Sequence, residues 1–262
     1  MFVIPRPGHV RIVAPDPGDP HTEVTPDLLS AAVEQALGRP VALHSPRWLT
    51  RFGDAARQAT DYVRGNVVLA GDAAHIHPPA GSAGINVALD DAVNLGWKLA
   101  ATVRGTAPPV LLTSYHTERH AAGARVLANT RAQALLGDLP QPVTDLLTRV
   151  ASHPAGTLAL AEILTGLDTR YDLGGDDPQL GRFVPGLTLP SGRGALLNHA
   201  PDSRVDSLSS DGPPMLVRPD GHVAWVSSGG DDEGLSEALD RWFGRPPTSE
   251  STPPAEPVRQ SA

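Results

Sequence analysis

Residues Asn66–Arg104 read NVVLAGDAAHIHPPAGSAGINVALDDAVNLGWKLAATVR, and this stretch decides the fold of the 262-residue chain. It opens with a short apolar run, Val67–Ala70, which predicts a buried strand. A Gly-Asp pair and a loop rich in proline and glycine come next. From Ile85 onward apolar residues recur at helical spacing on one face, which predicts a long amphipathic helix. We place Asp90 and Asp91 in its first turn and Lys98 and Arg104 toward its end, the order that the helix dipole favours.

Two features of this stretch indicate a place where a ligand could bind. Gly81, Ser82 and Gly84 precede the helix, and the start of a helix presents unpaired N–H groups that donate to phosphates or delocalised anions. Asp72 follows the predicted strand directly, at the edge where ligands bind in open α/β sheets. The glycines alone fit an ordinary capped loop equally well, and a lone carboxylate does not identify a ligand.

Together these residues form a more specific pattern. They resemble the second flavin-binding motif of the FAD-dependent aromatic-ring hydroxylases, a family of monooxygenases that includes para-hydroxybenzoate, phenol and aromatic polyketide hydroxylases. The residues that carry the resemblance are Gly71-Asp72-Ala73-Ala74-His75, Pro78-Pro79, Gly81, Gly84-Ile85-Asn86 and Asp91-Ala92-Val93-Asn94-Leu95.

The resemblance implies a cofactor site but no catalytic side chain. Asp72 would hold the ribityl chain of FAD, the start of the helix would face the pyrimidine end of the flavin ring, and Pro79 would lie between flavin and substrate. Most of the chemistry would belong to the cofactor. The predicted cofactor-binding residues are Gly71, Asp72, Pro79, Gly81, Gly84, Ile85 and Asn86.

The reaction that the resemblance implies is the hydroxylation of an aromatic small molecule, phenolic or polyketide-like. NADPH or NADH would reduce FAD, and one oxygen atom of O2 would be transferred to the aromatic ring. The N–H groups at the start of the helix would stabilise the negative charge of the reduced flavin.

The predicted fold class is mixed α/β, part of a Rossmann-like FAD-binding monooxygenase fold followed by a thioredoxin-like carboxyl-terminal domain. Residues 1–55 are predicted to be a remnant of the substrate-binding domain, and residues 56–177 the flavin-binding and helical region. Residues 178–244 form the predicted thioredoxin-like domain, and residues 245–262 a disordered tail.

The remaining elements are predicted from local patterns. Ser114–Arg119 resembles a scaffold element of the family, so we interpret Tyr115 and His116 as packing residues. The predicted elements are two strands within Met1–Pro15, a helix from Pro26, an extended segment over 41–52, helices over 111–136 and 143–165 with a break at His153-Pro154, strands at Phe183–Leu187, Ala195–Leu197, Met215–Arg218 and His222–Val226, and a helix over Leu235–Phe243.

The family's opening strand, G-x-G-x-x-G and helix, which hold the ADP half of FAD, are not found in these 262 residues. We therefore expect an amino-terminally truncated hydroxylase that does not oxidise NADPH by itself. A homodimer or a separate amino-terminal half is the expected protein partner.

The composition narrows the choice of partners and location. The net charge is −8, and no cluster of basic residues stands out, which argues against nucleic acid as a partner. There are no cysteines, so dithiol chemistry and cysteine-metal sites are excluded. No apolar run approaches the length of a membrane span, so we expect a cytoplasmic protein with no membrane partner.

Two other functions fit part of the sequence. Asp72, His75 and His77 form a D-x-x-H-x-H pattern that could bind Zn²⁺ in a metal-dependent hydrolase. The proline- and glycine-rich residues that follow are unlike a ligand-bearing loop, so we predict no metal. The other alternative is a noncatalytic flavin-binding or dimerisation fragment.

Overall fold

The computed structural model describes residues 1–16, 18–19, 21–78, 84–136 and 139–245. The chain divides into two compact units, Met1–Asp54 and Ala55–Ala262. Helices and strands are mixed along the chain, which confirms the mixed α/β class. The predicted site residues Pro79 and Gly81, and all of the predicted tail except Arg245, lie outside the described residues. The boundaries of the four predicted domains, and the comparison with thioredoxin, stay predictions.

The first unit contains one hairpin and one helix. Strands β1 (Phe2–Arg6) and β2 (His9–Val13) pair antiparallel, as predicted. Helix α1 (Pro26–Leu37) starts where Thr25 Oγ1 accepts the N–H of Leu28 at 3.3 Å, and proline occupies its first turn. Residues 41–52 contain no regular strand.

The second unit begins with short antiparallel pairs around the Gly-Asp loop. The four strands are β3 (Arg57–Gln58), β4 (Val63–Arg64), β5 (Val67–Val68) and β6 (His75–Ile76). Strand β3 pairs with β6, and β4 pairs with β5. A 3₁₀ turn at Gly71–Ala73 lies between β5 and β6.

The prediction of a buried strand over Val67–Ala70 was wrong in length and in burial. β5 has two residues, and Val67 is 62 % exposed. The physical reason is that β5 belongs to a tight hairpin, turned at Gly65 (φ 59°), and pairs with β4 only, so that its outer side lies open among the described residues.

Four helices follow the Gly-Asp loop. They are α2 (Gly84–Val103), α3 (Thr113–Leu135), α4 (Gln141–Ala151) and α5 (Pro154–Thr165). The predicted break at His153-Pro154 is confirmed, because Pro154 opens α5. Within the described part of the chain, no helix combines the length and the apolarity that crossing a membrane requires.

The carboxyl-terminal part is a four-stranded sheet with one helix. The elements are β7 (Ala195–Leu197), β8 (Asp206–Leu208), β9 (Met215–Val217), β10 (Val223–Val226) and α6 (Leu235–Phe243). The strand order is β10-β9-β7-β8, in which β7 and β8 are parallel and the other neighbours antiparallel.

Alternate residues of this sheet face two apolar layers. Leu196 and Leu216 pack with Trp225, Leu239 and Trp242 on the helix side. The opposite face packs a second cluster, which consists of Ala195, Leu197, Met215, Val217 and Val223.

The predicted hairpin between Met215–Arg218 and His222–Val226 is confirmed, with Gly221 at φ 78° in its turn. The predicted strand at Phe183–Leu187 was wrong, because only Phe183 forms a bridge, to His222. Pro185 and Gly186 end regular pairing after this one residue pair.

Candidate functional site

The Gly-Asp loop lies directly against helix α2. Gly71 has a left-handed backbone (φ 57°), and a Cβ there would be 3.3 Å from the Cβ of Ala88. A Cβ on Gly84 would be 3.1 Å from the ring of His77. Both glycines therefore allow a close approach that a larger residue would hinder. The loop from Gly71 to His77 and the first turns of α2 are neighbours.

Two open groups meet at this place. The side chain of Asp72 is exposed, and so are Ile85 and Asn86 in the first turn of α2. The first N–H groups of any helix have no acceptor within the helix, so α2 itself does not use the N–H groups of Gly84, Ile85 and Asn86. The arrangement offers an acceptor for hydroxyl groups beside donors for an anion, which fits a group that carries both.

A buried carboxylate holds the Gly-Asp loop from behind. Asp91 Oδ2 accepts the N–H of Gly71 at 2.9 Å and lies 2.7 Å from His75 Nε2. Its Oδ1 accepts from Arg119 Nε at 2.6 Å. Because a carboxylate only accepts, His75 Nε2 is the donor in that contact. Asp91, His75 and Arg119 are all buried.

The ion pair between Asp91 and Arg119 is held in its charged form. Burial alone would raise the pKa of Asp91, but the hydrogen bond from His75 and the charge of Arg119 outweigh burial and keep that pKa below its ordinary value. Burial alone would lower the pKa of Arg119, whereas its interactions with Tyr171 and Asp91 raise that pKa above the ordinary value.

A second buried carboxylate, Glu118, lies one residue before Arg119 on α3. Its Oε2 accepts from Lys98 Nζ at 2.7 Å and from Asn94 Nδ2 at 2.8 Å. Arg218, at the end of β9, donates to both oxygens, at 2.7 and 2.8 Å. Burial, and then the charge of Arg218, lower the pKa of Lys98 to about 8. Burial would raise the pKa of Glu118, but Arg218 lowers it below its ordinary value.

A third carboxylate, Asp220, completes the cluster from the turn between β9 and β10. Its Oδ1 accepts from Arg218 Nε at 3.0 Å, and its Oδ2 accepts from Asn94 Nδ2 at 2.9 Å. Burial would raise the pKa of Asp220, and Arg218 instead lowers it far below the ordinary range. We call six residues the charged core, three carboxylates and three cations: Asp91, Glu118, Asp220, Lys98, Arg119 and Arg218.

The sequence prediction missed the charged core. Asp90 and Asp91 were placed in the first turn of the helix, where acidic residues favour the dipole, but α2 starts at Gly84 and its first turn contains no acidic residue. Asp91, Asn94 and Lys98 recur at spacings of three and four residues, so they form a polar stripe. This polar stripe, opposite the apolar one, was the sequence signal that could have indicated the charged core.

The scaffold interpretation of Ser114–Arg119 agrees with the contacts. The hydroxyl of Tyr115 donates to the carbonyl of Leu69 at 2.9 Å, next to the Gly-Asp loop. His116 Nδ1 accepts the backbone N–H of Tyr62 at 3.1 Å. Both side chains therefore position the loop and its flanking strands.

The structure does not bring together the three residues of the metal alternative. His75 Nε2 is committed to Asp91, and His77 Nδ1 lies 3.0 Å from the carbonyl of Pro78. In the described ranges, no group of three or more histidines, aspartates or glutamates is arranged to hold a metal ion.

Comparison with known families defines the class of protein. Residues 4–130 match the model of an FAD binding domain, and residues 195–246 match the model of the carboxyl-terminal part of aromatic-ring hydroxylases. Asp72 and the first turns of α2 lie within the residues that match the FAD binding domain. The chain belongs to the FAD-dependent aromatic-ring hydroxylase family.

Individual relatives agree with this family. Rifampicin monooxygenase of Rhodococcus hoagii is 42 % identical over 266 residues, which cover 91 % of this chain and 55 % of the relative. Anhydrotetracycline hydroxylase OxyS of Streptomyces rimosus is 40 % identical with a TM-score of 0.77, covering 86 % of this chain and 54 % of the other. CabE, an aromatic hydroxylase from angucycline biosynthesis, is 43 % identical with a TM-score of 0.76, covering 87 % and 55 %. The chain spans about half the length of the relatives it matches.

Proposed function

We propose that this chain is the flavin-ring-binding part of an FAD-dependent monooxygenase that hydroxylates an aromatic, polyketide-like substrate with NADPH or NADH and O2. The observation that carries the proposal is the pairing of an exposed Asp72 with the open first turn of α2, within a match to an FAD binding domain. Two relatives are named a rifampicin monooxygenase and an anhydrotetracycline hydroxylase, which supports an aromatic, polyketide-like substrate.

The residues present fit the flavin and ribityl half of FAD. Asp72 would accept hydrogen bonds from ribityl hydroxyl groups, as its exposed position allows. The N–H groups of Gly84, Ile85 and Asn86 would hold the pyrimidine oxygens and stabilise negative charge there. When bound and reduced, FAD supplies the activation of O2 and the transfer of one oxygen atom. Gly71 lets the loop lie close enough to α2 for both sets of groups to act on one ligand. The predicted roles of Pro79 and Gly81 belong to this proposal too.

The partner that we propose is a polypeptide segment that holds the ADP half of FAD, carried on a separate amino-terminal half or on the same polypeptide. An unusual surface supports this. The residues of α2 opposite the charged core are apolar and exposed, and we call them the apolar face of α2. It consists of Ile85, Leu89, Val93, Leu99 and Val103, which are 41–81 % exposed. A contiguous apolar surface of this kind marks an interaction site.

Titration with FAD tests the proposed site. The purified chain is added to FAD, and the quenching of flavin fluorescence gives the dissociation constant. We expect Asp72→Ala to weaken binding by about tenfold or more, because it removes a charged acceptor worth about 1.5–3 kcal/mol. Asp61→Ala is the control, since Asp61 is also an exposed carboxylate near the loop but lies outside the site.

The assignment of Asp72 fails if Asp72→Ala and Asp61→Ala leave the same affinity for FAD. The site as a whole fails if the unsubstituted chain does not bind FAD. Visible absorption of the purified chain gives an independent reading, because bound flavin has absorption bands that protein lacks.

A further inference from the structure

The charged core joins two distant parts of the sequence to one loop. Arg218 lies in the carboxyl-terminal sheet, 147 residues after Gly71 in the Gly-Asp loop. Arg218 is fully buried, and its guanidinium carbon is 4.4 Å from the centroid of the Trp242 ring. The Arg218 side chain therefore packs against Trp242 of α6 and is held by the carboxylates of Glu118 and Asp220.

The contacts can be followed step by step from the sheet to the loop. Arg218 holds both oxygens of Glu118, and Glu118 and Asp220 both accept from Asn94 of α2. One turn before Asn94, Asp91 receives Arg119 and the N–H of Gly71. Two successive residues of α3 thus bind two successive polar positions of α2, so the rotation of α2 about its axis is tied to both ion pairs.

Tyr171 provides a second connection between the same groups. Its hydroxyl accepts from Arg119 Nη1 at 3.0 Å, and its ring stacks on His222 at 4.1 Å between centroids. His222 follows Asp220 in the hairpin turn, and its N–H lies 3.4 Å from Asp220 Oδ1. The carboxyl-terminal hairpin therefore contacts Asn94 directly through Asp220 and reaches Arg119 through Tyr171.

We propose that Arg218 is a positioning residue for the flavin site, acting through Glu118, Asn94 and α2 on Asp91 and hence on the backbone of Gly71. This inference rests on the proposed function, since it assigns the sheet a role in presenting Asp72. The carboxyl-terminal sheet then supports the cofactor site from behind through Arg218, and is not a structurally independent domain. Loss of Arg218 leaves Glu118 with Lys98 and Asn94, and Asp220 with Asn94 and the N–H of His222. Two buried carboxylates then share a single close cation, so the position of α2 is less firmly fixed.

Amide exchange at Gly71 tests the inference without any ligand. The exchange rate of the Gly71 N–H is measured by NMR and divided by that of Leu197, which reports on the sheet. Arg218→Lys keeps the charge but loses the two-bond contact with Glu118. We expect this variant to raise the ratio by about tenfold or more, because the Gly71 N–H donates to a charged group.

Met215→Ala is the matched control. Met215 is buried in the same sheet but in the apolar layer away from the charged core, so its truncation destabilises the fold through a cavity. Met215 pairs with Leu197, so its truncation loosens the reference amide, and we expect this variant not to raise the ratio of exchange rates. An unchanged ratio in Arg218→Lys, or an equal rise in Met215→Ala, overturns the proposal.

FAD titration of the same variants separates this inference from the proposed function. We expect Arg218→Lys to weaken FAD binding by about tenfold while Met215→Ala does not, at temperatures where both are folded. If the exchange ratio rises but the unsubstituted chain does not bind FAD, the coupling stands and the proposed function fails. If FAD binds and neither the ratio nor the affinity responds to Arg218→Lys, the coupling fails and the proposed function stands.

Discussion

The two faces of helix α2 are reversed relative to an ordinary helix of a globular protein. Its buried residues are Val87, Asp91, Asn94 and Lys98, of which three are polar. The apolar face, with Val103 81 % exposed, points away from the part of the chain that the structure describes. Helix α2 is therefore fixed by charge pairs on one side and leaves its hydrophobic surface exposed on the other. Because buried charges must be fully paired, we expect substitutions on the inner face to cost much more stability than substitutions on the outer face.

The strongest test of this comparison is the removal of one buried carboxylate. Asp91→Ala leaves the buried Arg119 with the exposed Asp90 carboxylate, 3.9 Å away, in place of its close ion pair, and leaves the N–H of Gly71 without its acceptor. We expect the free energy of unfolding, measured with urea, to fall by about 3–5 kcal/mol. Asp90→Ala is the control, because the Asp90 side chain is 61 % exposed, and we expect a change within about 0.5 kcal/mol.

Equal effects of these two neighbouring substitutions would break the comparison. They would show that the inner face of α2 is no more demanding than a surface position. A loss in Asp91→Ala that disappears at high salt would also contradict it, since ions screen exposed charge pairs far more than buried ones.

The sequence predicted the helix itself but not which side of it is inside. The spacing of apolar residues and the glycines before it predicted α2 over Ile85–Val103, and the structure begins it one residue earlier. Periodicity identifies a stripe without stating what covers it. Sequence position suggested that Asp91 and Lys98 interact with the helix dipole, because it does not show that Arg119 reaches Asp91 or that Glu118 reaches Lys98.

The same limit explains the candidate site. Asp72 and the start of α2 could be predicted because the motif is continuous in sequence, and the loop does lie against the helix. The support from Arg119, Arg218 and Asp220 could not, because these residues come from two later segments, α3 and the β9–β10 hairpin. Local patterns predict local elements, whereas the pairing of buried charges depends on the finished tertiary structure.

A smaller effect is expected where the charged core has a spare partner. Lys98→Met removes one cation from Glu118, which keeps the two bonds from Arg218 and one from Asn94. We expect the free energy of unfolding at neutral pH to fall by no more than about 2 kcal/mol. Burial already disfavours the charged form of Lys98, because it lowers the pKa of this side chain to about 8.

The pH dependence of that difference is the sharper measurement. The folded pKa of Lys98 is about 8 and its ordinary value is 10.5, so between these pH values the unfolded chain binds more protons than the folded one. Stability of the parent chain relative to Lys98→Met therefore rises with pH across this window. Lys98 is the only lysine in the sequence. Carbon-13-labelled lysine consequently gives a single NMR signal whose midpoint reports the pKa directly, and a midpoint near 10.5 would contradict the burial argument.

The smallest effect on folding is expected on the apolar face. Val103→Glu puts a charge at a position that is 81 % exposed, so we expect the free energy of unfolding to change by less than about 0.5 kcal/mol. Leu89→Glu, nearer the middle of the face, should behave in the same way. A loss of several kcal/mol in either variant would mean that the face is internal to this chain.

The same two substitutions should have a large effect on association. If this face binds the proposed segment or a second copy of the chain, sedimentation velocity should show weaker association in both variants. Asp90→Ala is the control, because it changes a charge at an exposed position outside the apolar face and should leave association unchanged.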